Sequence, residues 1–146
     1  MSEATDILAR ELPIRLAVEE DLEDFLALWM EFLIDREKNG GDFVANDKAL
    51  RYFETIFNLY VTGERKGVCL IAGSESSIQR YYGKGRMGVT LWGEGPADYI
   101  DFARGPVAMG WGVYVRPEFR RTGLSLAMRE LAADELRRLG FRRVTG

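Results

Sequence analysis

The chain has no histidine in its 146 residues and only one cysteine, Cys69. Without histidine there is no Ser/His pair for nucleophilic catalysis and no Cys/His cluster for zinc. A single cysteine cannot close an internal disulfide. Cys69 stands inside an apolar run, where it is expected to pack. No Gly-x-x-x-x-Gly-Lys-Ser/Thr phosphate loop is present. No apolar run approaches the ~18 residues that span a bilayer, and the acidic start, Met-Ser-Glu-Ala-Thr-Asp, is not a signal peptide. Basic charge is not in excess. Twenty Lys and Arg stand against 23 Asp and Glu, for a net charge of −3, which argues against non-specific nucleic-acid binding. These features fit a cytoplasmic protein without membrane or nucleic-acid partners, and would also fit a virus-encoded or particle-bound one.

What is present is enough for one core. Hydrophobic residues make up 47% of the chain and charged residues 29%, and the length suits a single domain over 1–146. A disordered chain would hold fewer apolar residues at higher net charge. The charge is uneven. Residues 1–62 carry fourteen Asp or Glu and six Lys or Arg, whereas residues 116–143 carry eight Arg and four Asp or Glu. Either these are two solvated surfaces, or the basic C-terminal part meets the phosphates of a ligand.

The pattern along the chain alternates between sheet and helix periods. Residues 12–18 read as a short strand. An acidic lead-in at 19–24 favours a helix start. Leu22, Phe25, Leu26, Trp29, Phe32 and Leu33 then follow at helical spacing, and Gly40 and Gly41 end the element. A second helix is expected from Asn46 or Asp47 to Thr62, with Leu50, Phe53, Phe57, Tyr60 and Val61 on its apolar side and Gly63 as its stop. Gly67–Gly73 is a wholly apolar strand between glycines. Residues 74–86 read as a connection, 87–92 as a strand and 93–105 as a loop. Val107–Val115 is a strand with Gly110 and Gly112 inside it, which marks a bulge, a bend or a close approach by another group. Residues 123–139 form a helix, Gly140 stops it, and 141–145 begin a strand that a right-handed crossover would lay parallel to the previous one. Trp92 and Trp111, on adjacent expected strands, either stack together or form a cleft wall.

The segment with the most chemistry is 113–125, Val-Tyr-Val-Arg-Pro-Glu-Phe-Arg-Arg-Thr-Gly-Leu-Ser. It is a strand, a proline stop, an arginine-rich turn with one glycine, and a helix start. Such a turn aims several N–H groups at one point, where the helix also presents partial positive charge. That combination suits a phosphate or pyrophosphate. Arg116, Arg120 and Arg121 are expected to add charge at the rim.

This stretch resembles the acyl-CoA-binding motif of the GNAT superfamily of N-acetyltransferases, roughly Val-x-Pro-x-x-Arg-x-x-Gly-x-Gly/Ala. Val115, Pro117, Arg120 and Gly123 stand at its positions, and Ser125 stands where Gly or Ala is usual. The resemblance implies an α/β fold with a mixed central sheet flanked by helices, in the order β-α-α-β-β-β-α-β. It implies acetyl-CoA as co-substrate, held by Val113, Val115, Arg120, Arg121, Thr122, Gly123, Leu124 and Ser125. The implied activity is acetyltransferase chemistry, acyl transfer to an amine of a small molecule or a protein.

The chain departs from that pattern in two ways. Relatives often use a Glu near the fourth strand as general base, and here that strand holds no acid. Glu94, Asp98 and Asp101 in the preceding loop are the substitutes, and Tyr81, Tyr82 and Tyr114 the candidate acids. Relatives also continue past the fifth strand with a helix and two more strands. An open edge at the last strand is therefore expected to pair with another copy or a larger assembly. These departures keep a second reading open, an inactive GNAT-fold interaction or structural protein.

Overall fold

A computed structural model describes residues 14–41, 44–73, 86–95 and 107–145. Strand β1 spans Ile14–Leu16, helices α1 and α2 span Leu22–Lys38 and Asp47–Val61, and strands β2, β3 and β4 span Gly67–Gly73, Arg86–Gly93 and Val107–Val115. Helix α3 covers Leu124–Arg138 and strand β5 covers Arg143–Thr145. The five strands form one sheet in chain order, antiparallel from β1 to β4, with β5 parallel to β4. This is the expected mixed α/β architecture and element order.

The sheet separates two cores. Helices α1 and α2 cover one face, where Phe25, Leu28, Trp29, Phe32, Phe53 and Phe57 pack on Cys69, Ile71, Val89 and Leu91. Helix α3 covers the other face, where Leu124, Ala127, Met128, Ala132 and Leu136 meet Val68, Leu70, Ala72, Ala108 and Val115. Every strand residue of β2 from Val68 to Gly73 is buried, as its unbroken apolar run requires. Cys69 is fully enclosed, and burial pushes its thiol well above the usual range, which leaves it a packing residue.

Helix α3 ends as its sequence indicates. Gly140 turns left-handed at φ 95°, its N–H reaches the Arg137 carbonyl, and the Phe141 N–H reaches that of Leu136. Phe141 is thereby drawn into the core beside Leu136, and β5 starts at Arg143, two residues later than the pattern at 141–145 predicts. β3 differs too. Its first residue is Arg86, which lies inside the stretch read as a connection. The guanidinium of Arg86 is 1% exposed. Its Nε donates to Asp24 at 2.8 Å and its Nη2 lies 3.6 Å from Asp21. Asp21 also receives both Nη groups of Arg15, at 2.7 and 2.8 Å, and the N–H of Val18 at 2.8 Å. Burial alone would raise the Asp21 pKa. The Arg15 and Val18 hydrogen bonds and the charges of Arg15 and Arg86 reverse this and hold it below the ordinary 3.8.

Candidate functional site

The site begins with a register break in β4. Leu91 of β3 faces Gly112 while Trp92 faces Gly110, so Trp111 is an extra residue with no partner across the ladder. The break reverses which side each residue faces. Before it, Ala108 lies on the α3 face and Gly110 lies under the Trp92 ring. After it, Gly112 sits under the Phe32 ring and Tyr114 packs on the α1 face, while Val113 and Val115 turn to α3. A side chain at 110 or 112 would strike those rings at about 2.4 and 2.5 Å. Both glycines are therefore required by close approach.

β5 follows β4 only through the pairs Val107–Arg143, Ala108–Val144 and Met109–Thr145. From the bulge onward, the described part of β4 pairs with β3 alone, and its other edge looks into open space. A cleft of about 670 Å³ occupies that space, lined among others by Trp92, Met109, Trp111, Val113, Arg36 and Arg129. Trp92 and Trp111 both border it but do not stack. The Trp111 indole donates to the Tyr60 hydroxyl at 2.9 Å, and that of Trp92 donates to Thr90. The cleft-wall alternative is the one realised.

Two smaller cavities adjoin this cleft and share residues with it. One, of about 310 Å³, runs between α1 and β4 past Asp35, Arg36, Val113, Tyr114, Val115, Arg120 and Ser125. The other, of about 330 Å³, lies over the start of α3 and is bordered by Val115, Phe119, Arg121, Gly123, Leu124, Ser125 and Arg129. The turn leading into α3 is built for an uncovered start. Arg121 and Gly123 both take left-handed backbone angles, φ 65° and 86°. No side chain caps the helix and its first turn contains no acid. Among the described residues, no protein acceptor takes the N–H groups of Arg121, Thr122, Gly123 or Ser125. Thr122 braces the turn from within, donating its hydroxyl to the Phe119 carbonyl at 2.7 Å and meeting the Leu124 N–H at 3.4 Å.

The structure thus brings together Val113, Val115, Arg121, Gly123, Leu124 and Ser125 around connected cavities. It corrects the placement of one arginine and shows how another is engaged. Arg116 is not at the rim. It grips Glu31 of α1 through Nε and Nη2, at 3.1 and 2.8 Å, and donates to the Arg86 carbonyl. Arg120 borders both smaller cavities but is engaged within the protein. Its Nε donates to the Val115 carbonyl at 2.8 Å, and its guanidinium carbon lies 5.7 Å from the centre of the Tyr114 ring.

The Tyr114 hydroxyl donates to Glu31 at 3.1 Å. Burial first, then the charge and hydrogen bond of Glu31, push its pKa up to about 12, so it stays protonated at neutral pH. Glu94 closes the end of β3. Its carbonyl accepts from the Tyr60 hydroxyl at 2.6 Å, and it does not border the cleft. Tyr81, Tyr82, Asp98 and Asp101 lie outside the described residues. Sequence reasoning missed Arg36 and Arg129 as cleft residues. Arg36 stands four residues after Phe32 on α1, and Arg129 four after Ser125 on α3, a spacing that places each beside a recognised residue.

No protein-family model matches the chain, and no curated protein matches it in sequence. Solved structures do share its fold. A predicted acetyltransferase from Clostridium acetobutylicum, solved with acetyl-CoA, is 15% identical, with a TM-score of 0.65 over 91% of this chain and 78% of that one. Ribosomal-protein-alanine N-acetyltransferase from Brucella melitensis biovar Abortus 2308 is 18% identical, with a TM-score of 0.58 over 92% and 77%. An aminoglycoside acetyltransferase from an uncultured soil metagenomic sample, solved with sisomicin, is 17% identical, with a TM-score of 0.60 over 94% and 77%. The chain has the GNAT acetyltransferase fold.

Proposed function

We propose that the chain is an N-acetyltransferase that takes its acetyl group from acetyl-CoA and passes it to an amine. The observation that carries this reading is the uncovered start of α3, with its free N–H groups, bordering a cavity that adjoins the cleft along the half of β4 that β5 does not cover. The N–H groups of residues 121–125 and the α3 dipole suit the diphosphate. Val113 and Val115 border the path that the pantetheine arm would follow. Gly110, Trp111 and Gly112 line the cleft at the bulge, beside the place where an acyl group would be oriented.

Acetyl-CoA supplies an activated acyl carbon. Transfer forms a bond from the amine nitrogen to that carbon, breaks the carbon–sulfur bond, and releases a thiol and an amide. The chain's own residues bind and orient the reactants, and the glycines at 110 and 112 let the Trp92 and Phe32 rings pack onto β4 beside the cleft. Tyr114 serves as a positioning residue. Its hydroxyl donates a hydrogen bond to Glu31, which in turn holds Arg116 and the end of β4. The neighbours of the same fold that were solved with acetyl-CoA or an aminoglycoside support the reading without naming the amine for this chain.

Calorimetry with CoA tests the first half, and thiol release from acetyl-CoA over a panel of amines tests the second. Micromolar binding with turnover on at least one amine is expected. No binding at millimolar CoA would overturn the proposal. Binding without transfer to any amine would favour a scaffold that kept the fold alone.

A further inference from the structure

We propose that Arg129 supplies the cationic side chain of the diphosphate site, in place of the motif arginine Arg120. This rests on the acetyl-CoA reading above. Arg120 is occupied. It is tied to the Val115 carbonyl at 2.8 Å, lies over the Tyr114 ring, and has Asp35 within 3.9 Å. Arg116 is bound to Glu31. The positive side chains that border the cavity over the α3 start are therefore Arg120, already engaged, together with Arg121 and Arg129.

Arg129 is placed better than its distance in sequence from the turn implies. It lies four residues after Ser125, on the same side of α3. Helical side chains lean toward the N-terminus, so the Arg129 side chain reaches back over the first turn, where the uncovered N–H groups are. Arg129 borders both the cavity at the turn and the main cleft, the junction that a diphosphate joined to a pantetheine arm would occupy.

Its surroundings leave it available. The positions three and four residues away are Ser125, Leu126, Ala132 and Ala133, none of them acidic. Further along α3, Arg137 and Arg138 are held by Asp134 and Glu135 at 2.7 and 2.8 Å. Arg129 has no such partner among the described residues. A guanidinium offers paired donors that match phosphate oxygens, so an unpaired arginine beside uncapped N–H groups completes an anion site.

The test is calorimetry of the parent, Arg129→Gln and Arg129→Lys with CoA and with dephospho-CoA, each at low and high salt. Arg129→Gln should weaken both ligands by about tenfold. The loss should shrink as salt rises, and Arg129→Lys should recover part of it. Unchanged affinity in Arg129→Gln would overturn the assignment. So would a loss seen with CoA but not with dephospho-CoA, since that locates Arg129 at the 3′-phosphate. Failure of the parent to bind CoA would instead remove the site itself. Arg129 is exposed, so Arg129→Gln should melt with the parent.

Discussion

Helices α2 and α3 are both fifteen residues long, yet they begin in opposite ways. The start of α2 is completed by its own sequence. Asn46 stands extended at φ −143° and its side chain accepts the Ala49 N–H at 2.8 Å, with Asp47 next to it in the first turn. The start of α3 has a left-handed glycine, no capping side chain and no acid. Orphan N–H groups at a helix end must find an acceptor. In α2 the acceptor is covalently part of the chain. In α3 it has to come from water or from a ligand. Helix α1 sides with α2, since Asp21 just before it, then Glu23 and Asp24, supply its negative charge. The start that has neither a capping side chain nor an acid is the one that borders a cavity.

Four changes break or sharpen this contrast. The largest effect belongs to a closed start. Asp21→Asn leaves the buried Arg86 short of a counter-charge and should destabilise the fold by about 3 kcal/mol, read from chemical denaturation. The same group has a pH signature. Its folded pKa lies below the unfolded value of 3.8, so its contribution is present above that value and is lost as pH falls through the lowered folded value. Asp21→Asn should flatten that limb of the stability profile, and an unchanged acid limb would show that another group sets it.

Gly123→Val comes next. A branched side chain at φ 86° is strained and stands over the uncovered N–H groups. CoA binding should fall at least about a hundredfold, roughly 2.7 kcal/mol, while the circular dichroism spectrum is retained. Ser125→Asp would give α3 the internal acid that it lacks. It should weaken CoA by about tenfold and raise the melting temperature slightly, because the same charge that repels phosphate favours the helix dipole. Equal or tighter CoA binding in that variant would place the diphosphate elsewhere. The smallest change is Asn46→Ala. It should cost about 1 kcal/mol of stability and leave CoA affinity within twofold, since the α2 start does not border the cavities.

The elements that could be read from sequence are those whose cues are local. β2 and β4 were bounded correctly because each is an apolar run with no charge inside. The ionic contacts were not legible, because their partners are far apart in the chain. Arg86 meets Asp24 across 62 residues, and Arg116 meets Glu31 across 85. A charged residue at a strand end gives no local sign of whether it points to solvent or into a pocket of acids. Arg120 was assigned to the phosphate site on its motif position and does border the cavity there, but its motif position gave no sign that the carbonyl of Val115 and the ring of Tyr114 engage it. Arg129 was passed over because helical spacing marked its neighbours as core.

The unpartnered residue in β4 also divides the strand into two lengths that do not share a fate. Residues 107–109 carry β5, and residues 112–115 carry the approach to α3. Because Trp111 adds one residue, side chains on either side of it keep their proper layers, and removing it would leave both lengths facing as before. A deletion of that one residue would therefore keep the pleat consistent from end to end, at the loss of an indole packed on Phe53 and held by Tyr60. The extra residue acts as an expansion joint. A shift or substitution at the β5 end can be absorbed there without re-registering the half of the strand that leads into the phosphate turn.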